Sequence, residues 1–352
     1  MKNKKILFIA DGCHPGTQGG IQTFGRALQK MFKDNLIFLA NSTKNEKIFK
    51  VDNVIEISQE SLFFKILNKL LKNKLRENKT KREIKRISPD ICILRSPQNL
   101  KVLKEINCKK ILVQHTRLDG YLASKSYYNS EEKLFQMSKK YLDYFIVTSK
   151  YDKTILNKKY KFPVGKIKVI RHSCELNLIE DIKKKNKNLI MIARLDNESK
   201  RFDLAIRAMK KLPEFILKIY GDGPDRVFLE NLIISEKIDN VCLCGSTNEV
   251  KEKLDEAGIF VMTSDIEGYP ITSIEAIRRG LPIILRDTFE GAADIVINNG
   301  ILLEKKWDEN KFIDGINEIY NNYNEYSKNS LEMGKRHNLD IIKNNWEKIF
   351  YE

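Results

Sequence analysis

The sequence predicts two doubly wound α/β domains in series, each a parallel sheet covered by helices on both faces. Three observations carry this expectation. Short, continuous apolar runs rich in β-formers alternate with amphipathic stretches along the whole chain, the pattern of strands buried on both faces. The alternation falls into two blocks. The length, 352 residues, suits two domains rather than one.

Taken in order, the strand-like runs of the first block are Lys5–Ala10, Leu36–Ala40, Val54–Ile57, Ile91–Arg95, Ile111–Gln114, Phe145–Thr148 and Ile167–Ile170. Those of the second are Leu189–Ala193, Phe215–Tyr220, Val241–Cys244, Ile259–Thr263, Pro282–Leu285 and Ile301–Leu303. Between them lie amphipathic segments such as Phe202–Lys211 and Thr272–Arg279. The opening Met1-Lys2-Asn3-Lys4-Lys5 and apolar Ile6–Ala10 superficially look like a leader. The apolar run breaks at Asp11-Gly12, too short for a secretory segment, and is expected to be a buried first strand. The divide falls near residues 171–187, where a strand gives way to polar sequence including Lys183-Lys184-Lys185-Asn186-Lys187. The expected organisation is a first domain over 1–170, a second over 171–330, and a terminal segment over 331–352. Ser330–Tyr351 is expected to be helical, carrying Trp346, Ile349 and Phe350 back to the first domain.

Composition removes several classes. No stretch approaches the roughly 18 consecutive apolar residues that span a bilayer. Six cysteines (Cys13, Cys92, Cys108, Cys174, Cys242, Cys244) include no C-x-x-C pair and no histidine at ligand spacing, so they are expected to be reduced thiols in a cytoplasmic protein. No metal site is expected, since D-x-D occurs nowhere in the chain. The net charge of +16 is unevenly placed: residues 1–170 carry a net +21 and residues 171–352 a net −5. A Lys-rich genome would raise both halves alike, so the first half is expected to face something anionic. Nucleic acid is set aside, because no basic motif interleaved with aromatics is present.

The residues that bear chemistry cluster after strands. Glu267-Gly268-Tyr269-Pro270-Ile271-Thr272-Ser273-Ile274-Glu275-Ala276 follows the run Ile259–Thr263. It is expected to be a loop opening a helix, whose free N–H groups favour an anion such as diphosphate. Glu267 and Glu275, eight apart, are placed to take separate hydroxyl groups of one extended ligand. Arg194 and Lys200 flank the loop after the first strand of the second block, where a fork and a point charge suit a diphosphate. Gly221 and Gly223 lack the third glycine of a dinucleotide fingerprint. Gly245 ends another strand, and Gly19-Gly20 links the first strand to a helix, allowing close backbone approach. His115 stands at the end of a strand, where α/β proteins bind ligands.

Together these resemble retaining GT-B glycosyltransferases, family 4 in particular. Glu267 and Glu275 match the E-x7-E motif, and Arg194 and Lys200 match an Arg-x5-Lys pair. The resemblance implies two Rossmann-like domains facing across a cleft. It implies that Glu267 meets donor sugar hydroxyls and Glu275 the ribose, with Gly268, Tyr269 and Pro270 shaping the loop. Arg194 and Lys200 would hold the leaving diphosphate. Gly19, Gly20, Gly221 and Gly245 are carried over as donor-binding, and His115 as a residue of the reaction centre. Arg117 and Asp119, just beyond it, are candidate acceptor contacts. Two departures stand: Arg171-His172-Ser173-Cys174 replaces the usual Pro-Asn-Gly turn, and Gly291-Ala292-Ala293-Asp294 replaces a Gly-Gly then Glu.

The implied activity is transfer of a hexosyl group from a nucleotide diphosphate sugar, UDP favoured, to a saccharide or lipid-linked acceptor, with retention and without a metal or cofactor. The alternatives are a sugar-nucleotide epimerase of the same fold, which needs its own acid/base carboxylates, and a non-catalytic binding or chaperone subunit. The latter should have lost the phosphate cations, yet Arg194 and Lys200 are present. Finally, residues 62–88 carry ten Lys/Arg against Glu77 and Glu83, with Phe63, Ile66, Leu67, Leu70, Leu71 and Leu75 at helical spacing. This segment is either a core-facing helix with a solvated outer face or a contact to an anionic membrane surface.

Overall fold

The computed structural model describes residues 4–17, 19–41, 47, 49–57, 71, 74–125, 127–182 and 184–352. The chain divides into two compact units, Met1–Arg171 with Ile342–Glu352, and His172–Ile341.

The first unit holds a seven-stranded sheet of β1 (Ile6–Asp11), β2 (Leu36–Asn41), β3 (Val54–Ile57), β4 (Ile91–Leu94), β5 (Lys109–Val113), β6 (Tyr144–Val147) and β7 (Ile167–Val169). Its order is β3-β2-β1-β4-β5-β6-β7. Every described pairing in it is parallel. The unbroken apolar runs follow from that arrangement, since helices cover both faces and each residue of Ile91–Leu94 is buried. Phe8 shows the packing on one face: its ring meets Phe24 of the helix Gly20–Phe32 and Phe38 of β2 edge-on.

The second unit repeats the plan with six parallel strands: β8 (Asn188–Ile192), β9 (Ile216–Tyr220), β10 (Val241–Gly245), β11 (Ile259–Met262), β12 (Ile283–Arg286) and β13 (Gly300–Leu303). Their order is β10-β9-β8-β11-β12-β13. In both sheets the order reverses beside the first strand, between β1 and β4 and between β8 and β11. The loops leaving these strands diverge there, opening a crevice at the carboxyl ends where α/β sheets take ligands. β10 is an edge strand, and both its cysteines, Cys242 and Cys244, are exposed on one face.

The terminal segment departs from the single helix expected over Ser330–Tyr351. Two helices, Tyr323–Lys335 and Leu339–Tyr351, are separated at residues 336–338. His337 is fully buried there; its carbonyl accepts from the Cys174 N–H, and its Nδ1 lies 2.8 Å from the His172 carbonyl. The Asn338 side chain then accepts from the Asp340 N–H at 2.7 Å, capping the next helix. Residues up to Ile341 stay with the second unit, so the part in the first unit starts at Ile342 rather than at 331. There Trp346 packs against Phe24, and Phe350 against Phe32. The Lys109 ammonium donates to the Ile349 carbonyl at 2.7 Å, where a helix end favours a cation.

Of residues 62–88, only Leu71 and residues 74–88 are described, so Phe63, Phe64, Ile66, Leu67 and Leu70 lie outside the described residues. The described helix, Lys74–Ile87, buries Ile84 and Ile87 and exposes Arg82, Lys85 and Arg86. Among the described residues no helix is long and apolar enough to cross a membrane.

Candidate active site

In the second unit the loops after β8 and β11 meet at the switch point and are laced backbone to backbone. The Asp265 and Ile266 N–H groups donate to the Ser199 carbonyl, at 2.9 and 3.2 Å. The Thr263 hydroxyl donates to the Arg201 carbonyl at 2.8 Å. This lacing brings Lys200 and Glu267, 67 residues apart, into an ion pair of 2.8 Å. The Ser264 hydroxyl donates to the same carboxylate oxygen, Oε1, at 2.8 Å. Both side chains are largely covered, at 21% and 10% exposed, which makes the contact geometrically defined rather than a loose surface pair. Arg194 stands exposed at the start of the first loop.

A second ionic network supports the first. Arg201 sits at φ 50°, a left-handed turn between the short helix Asn197–Lys200 and the helix Phe202–Ala208. Its guanidinium forks onto Asp203 at 3.0 and 3.1 Å and reaches Asp265 at 3.1 Å. Buried Arg286, on β12, donates to the other Asp265 oxygen and to the Thr263 carbonyl. Burial opposes the charge on Asp265, but the bonds from Arg286 and Arg201 outweigh it and hold its carboxyl below the usual range. The expected loop residues thus rest on partners that sequence spacing gave no reason to join.

Pro270 precedes the helix Ile271–Arg278, whose first turn is closed by the Ser273 hydroxyl donating to the Pro270 carbonyl at 2.7 Å. Gly268 and Tyr269 complete the loop. Tyr269 is buried with its ring edge-on to His172, at 5.9 Å, and near His337, at 6.0 Å. Full burial lowers the His172 pKa to about 4, so that ring is neutral packing for Tyr269. Glu275, half-buried a turn into the helix, is close enough to Cys174 to help burial push that thiol up to about 12.

The glycines have sharper reasons than phosphate contact alone. A Cβ on Gly221, at φ 141°, would lie 1.9 Å from the Ala193 carbonyl oxygen, and one on Gly223 2.4 Å from that of Leu195. The Gly221 N–H donates to the Gly245 carbonyl at 2.8 Å. Gly221 and Gly223 let the β9 loop press on the backbone that carries Arg194, and Gly245 of β10 ties that loop down from its other side.

In the first unit, Gly19 caps the helix Gly20–Phe32 at φ 141°, and a Cβ on Gly20 would meet nothing within 4 Å. His115, just past β5, packs edge-on at 5.1 Å to Phe24, which lies one turn into the helix that Gly19 caps. Arg117 precedes the short helix Leu118–Ala123. Asp119 accepts from the Tyr160 hydroxyl at 2.5 Å and pairs with Lys159 at 3.2 Å; the Tyr160 bond leads in holding its carboxyl low. Among the described residues no group of three His, Cys, Asp or Glu side chains is arranged to hold a metal.

Residues 176–337, which contain the whole laced site, match the family of glycosyl transferases group 1. The chain is a glycosyltransferase. An uncharacterised glycosyltransferase of Haemophilus influenzae is 27% identical over 262 residues, 70% of this chain and 71% of that protein. The amylovoran biosynthesis glycosyltransferase AmsD of Erwinia amylovora is 23% identical over 324 residues, 87% of each chain. Among solved structures, Anabaena Alr3699/HepE in complex with UDP and glucose superposes with a TM-score of 0.77 at 15% identity, over 98% of both chains. This glycosyltransferase therefore has the two-domain, Rossmann-like GT-B fold.

Proposed function

We propose that this glycosyltransferase is a retaining, family 4-like enzyme that moves a hexosyl group from a nucleoside diphosphate sugar, with UDP as the nucleotide, to a saccharide or lipid-linked acceptor of cell-surface polysaccharide or glycolipid synthesis. The observation that carries this is the Lys200–Glu267 pair at the β8/β11 switch point, inside the matched segment. AmsD, named for amylovoran biosynthesis, and the UDP and glucose bound by Alr3699/HepE support the polysaccharide and UDP assignments.

In this mechanism the diphosphate lies against Arg194 and Lys200, Glu267 takes hydroxyls of the sugar and Glu275, as the second Glu of E-x7-E, the ribose. Gly19 and Gly20 offer backbone N–H groups to the phosphates, and His115 stands at the sugar. The C1–oxygen bond to the diphosphate breaks while C1 bonds the acceptor hydroxyl on the same face. The acceptor proton passes to a phosphate oxygen of the leaving group. The charge that develops on the diphosphate is stabilised by Arg194, Lys200 and helix N-termini, fixed groups that need no reorganisation. No metal is required by this scheme. Transfer from UDP-[14C]hexose should persist after exhaustive EDTA treatment; loss restored by Mg²⁺ or Mn²⁺ would overturn metal independence. Conversion of the donor to its epimer, without transfer, would overturn the reaction itself.

The basic first half supports peripheral association with the anionic inner face of the membrane through residues 62–88, at about 1 kcal/mol per basic residue near anionic lipid. Sedimentation with anionic vesicles should exceed that with neutral ones and fall when Lys79 and Arg82 are changed to Glu. Equal recovery on both would leave Lys74–Ile87 as an ordinary surface helix.

A further inference from the structure

The first unit contains a cavity of about 620 Å³ at the carboxyl ends of β1, β2, β3 and β4, the switch point of that sheet. Asp11, Arg95 and Asn99 stand on its wall, with the cations Arg76, Lys101 and Lys125 and the carboxylates Glu77 and Glu131 around it.

Arg95 is the unusual member. Its Nε is buried and has no hydrogen-bond partner, and no ion pair is formed by its guanidinium among the described residues. The head is held in place all the same. It lies over the buried Tyr127 ring at 5.5 Å from the centroid, and its backbone carbonyl accepts from the Tyr121 hydroxyl at 3.1 Å. A covered guanidinium with an unfilled donor is costly unless something anionic answers it, and its planar fork fits a phosphate or carboxylate.

Asp11 faces the same space with different chemistry. It ends β1 at φ 49°, and its carboxylate accepts from the Asn99 side chain at 2.9 Å. Burial raises its pKa, while the bond from Asn99 and the charge of Arg95 oppose the rise. A partly shielded carboxylate beside an amide is what grips sugar hydroxyls, as acceptor and as fixed dipole. Charge distinguishes this cavity from a neutral glycan site: Lys101 is answered by Glu131 at 3.5 Å, whereas the Arg95 guanidinium feels the charge of Asp11 but forms no ion pair among the described residues, and its Nε bonds to nothing.

We infer that this cavity binds an anionic saccharide as acceptor, a sugar bearing a phosphate or carboxylate, with the anion on Arg95 and hydroxyls on Asp11 and Asn99. The inference rests on the glycosyl-transfer reading above and names its acceptor class. It also fits the excess of positive charge in residues 1–170.

The test is calorimetric titration of the full chain with glucose 1-phosphate, glucuronate, glucose and inorganic phosphate, with UDP titrated separately. One or both charged sugars should bind at least 10-fold tighter than either glucose or inorganic phosphate. Arg95→Gln should remove that preference, and Asp11→Asn should weaken the charged sugars without making inorganic phosphate bind better. Tighter binding of the phosphate sugar than of the uronate, or the reverse, identifies the anion. UDP binding should be unchanged in both variants, which also certifies that they are folded. Should Arg95→Gln fail to fold, Arg95→Lys serves, keeping the charge but losing the fork. Equal binding of glucose and the charged sugars would overturn the inference, as would a preference that survives loss of Arg95 or inorganic phosphate binding as well as sugar phosphate. Wild-type chain that binds none of the charged sugars yet binds UDP overturns the acceptor class alone; chain that does not bind UDP overturns the donor reading instead.

Discussion

Lys200→Ala should lower kcat/KM by about 10²-fold or more, and Arg194→Ala by a similar factor, because each removes a fixed cation from the charge that develops on the leaving diphosphate. Lys200 carries a second consequence. It is one of two groups fixing Glu267 Oε1, the other being Ser264, so its loss also loosens the carboxylate that would orient the sugar. The effects of Lys200→Ala and Glu267→Gln should therefore fall well short of adding in the double variant. Glu275→Ala should chiefly weaken nucleotide binding, since its proposed partner is the ribose and not the bond that breaks. Steady-state kinetics with the intact donor, beside UDP titration, separates these effects. Full activity in both cation variants would remove the diphosphate assignment.

Gly221→Ala should destabilise the second unit by about 3 kcal/mol or more, lowering its Tm by about 6–12 °C. The added Cβ would stand 1.9 Å from the Ala193 carbonyl in a backbone conformation, φ 141°, that L-residues rarely adopt. Relief requires the β8 and β9 loops to separate. The loop that moves carries Arg194, so donor affinity should fall with stability. Gly20→Ala is the control, since its Cβ meets nothing within 4 Å and the residue opens a helix. Thermal unfolding followed by circular dichroism compares them; a Gly221→Ala protein melting with wild type would refute the steric account.

The fold was legible because burial on both faces leaves a plain trace. Each of the thirteen described strands coincides with an apolar run such as Val54–Ile57 or Ile259–Thr263, to within a residue or two at its ends. The helix break at residues 336–338 was not, because it depends on His337 and Asn338 hydrogen-bonding to the chain around them, and both residues are unremarkable inside a helical pattern. The site divides in the same way. Motif spacing marked the loops after β8 and β11, but nothing local announces that residue 200 touches residue 267, or that Asp265 is clamped between Arg201 and Arg286. Those contacts come from three parallel neighbours, β8, β11 and β12, ending side by side. Asp11 and Arg95 went unmarked for a related reason: each is a single charged residue at a strand's carboxyl end, adjacent only because β1 and β4 are neighbours. That position, the residue following each strand at the point where strand order reverses, was the available signal.

The helix Leu339–Tyr351 also constrains the order in which the protein can form. Residues 342–352 supply Trp346 and Phe350 to a body otherwise made of residues 1–171, with the second unit inserted between. On the ribosome, the inserted unit emerges whole while the surfaces of Phe24 and Phe32 still await their cover. The half synthesised first is thus the half completed last. Until then it presents to chaperones, or to neighbouring nascent chains, the apolar strip that the final helix will later close.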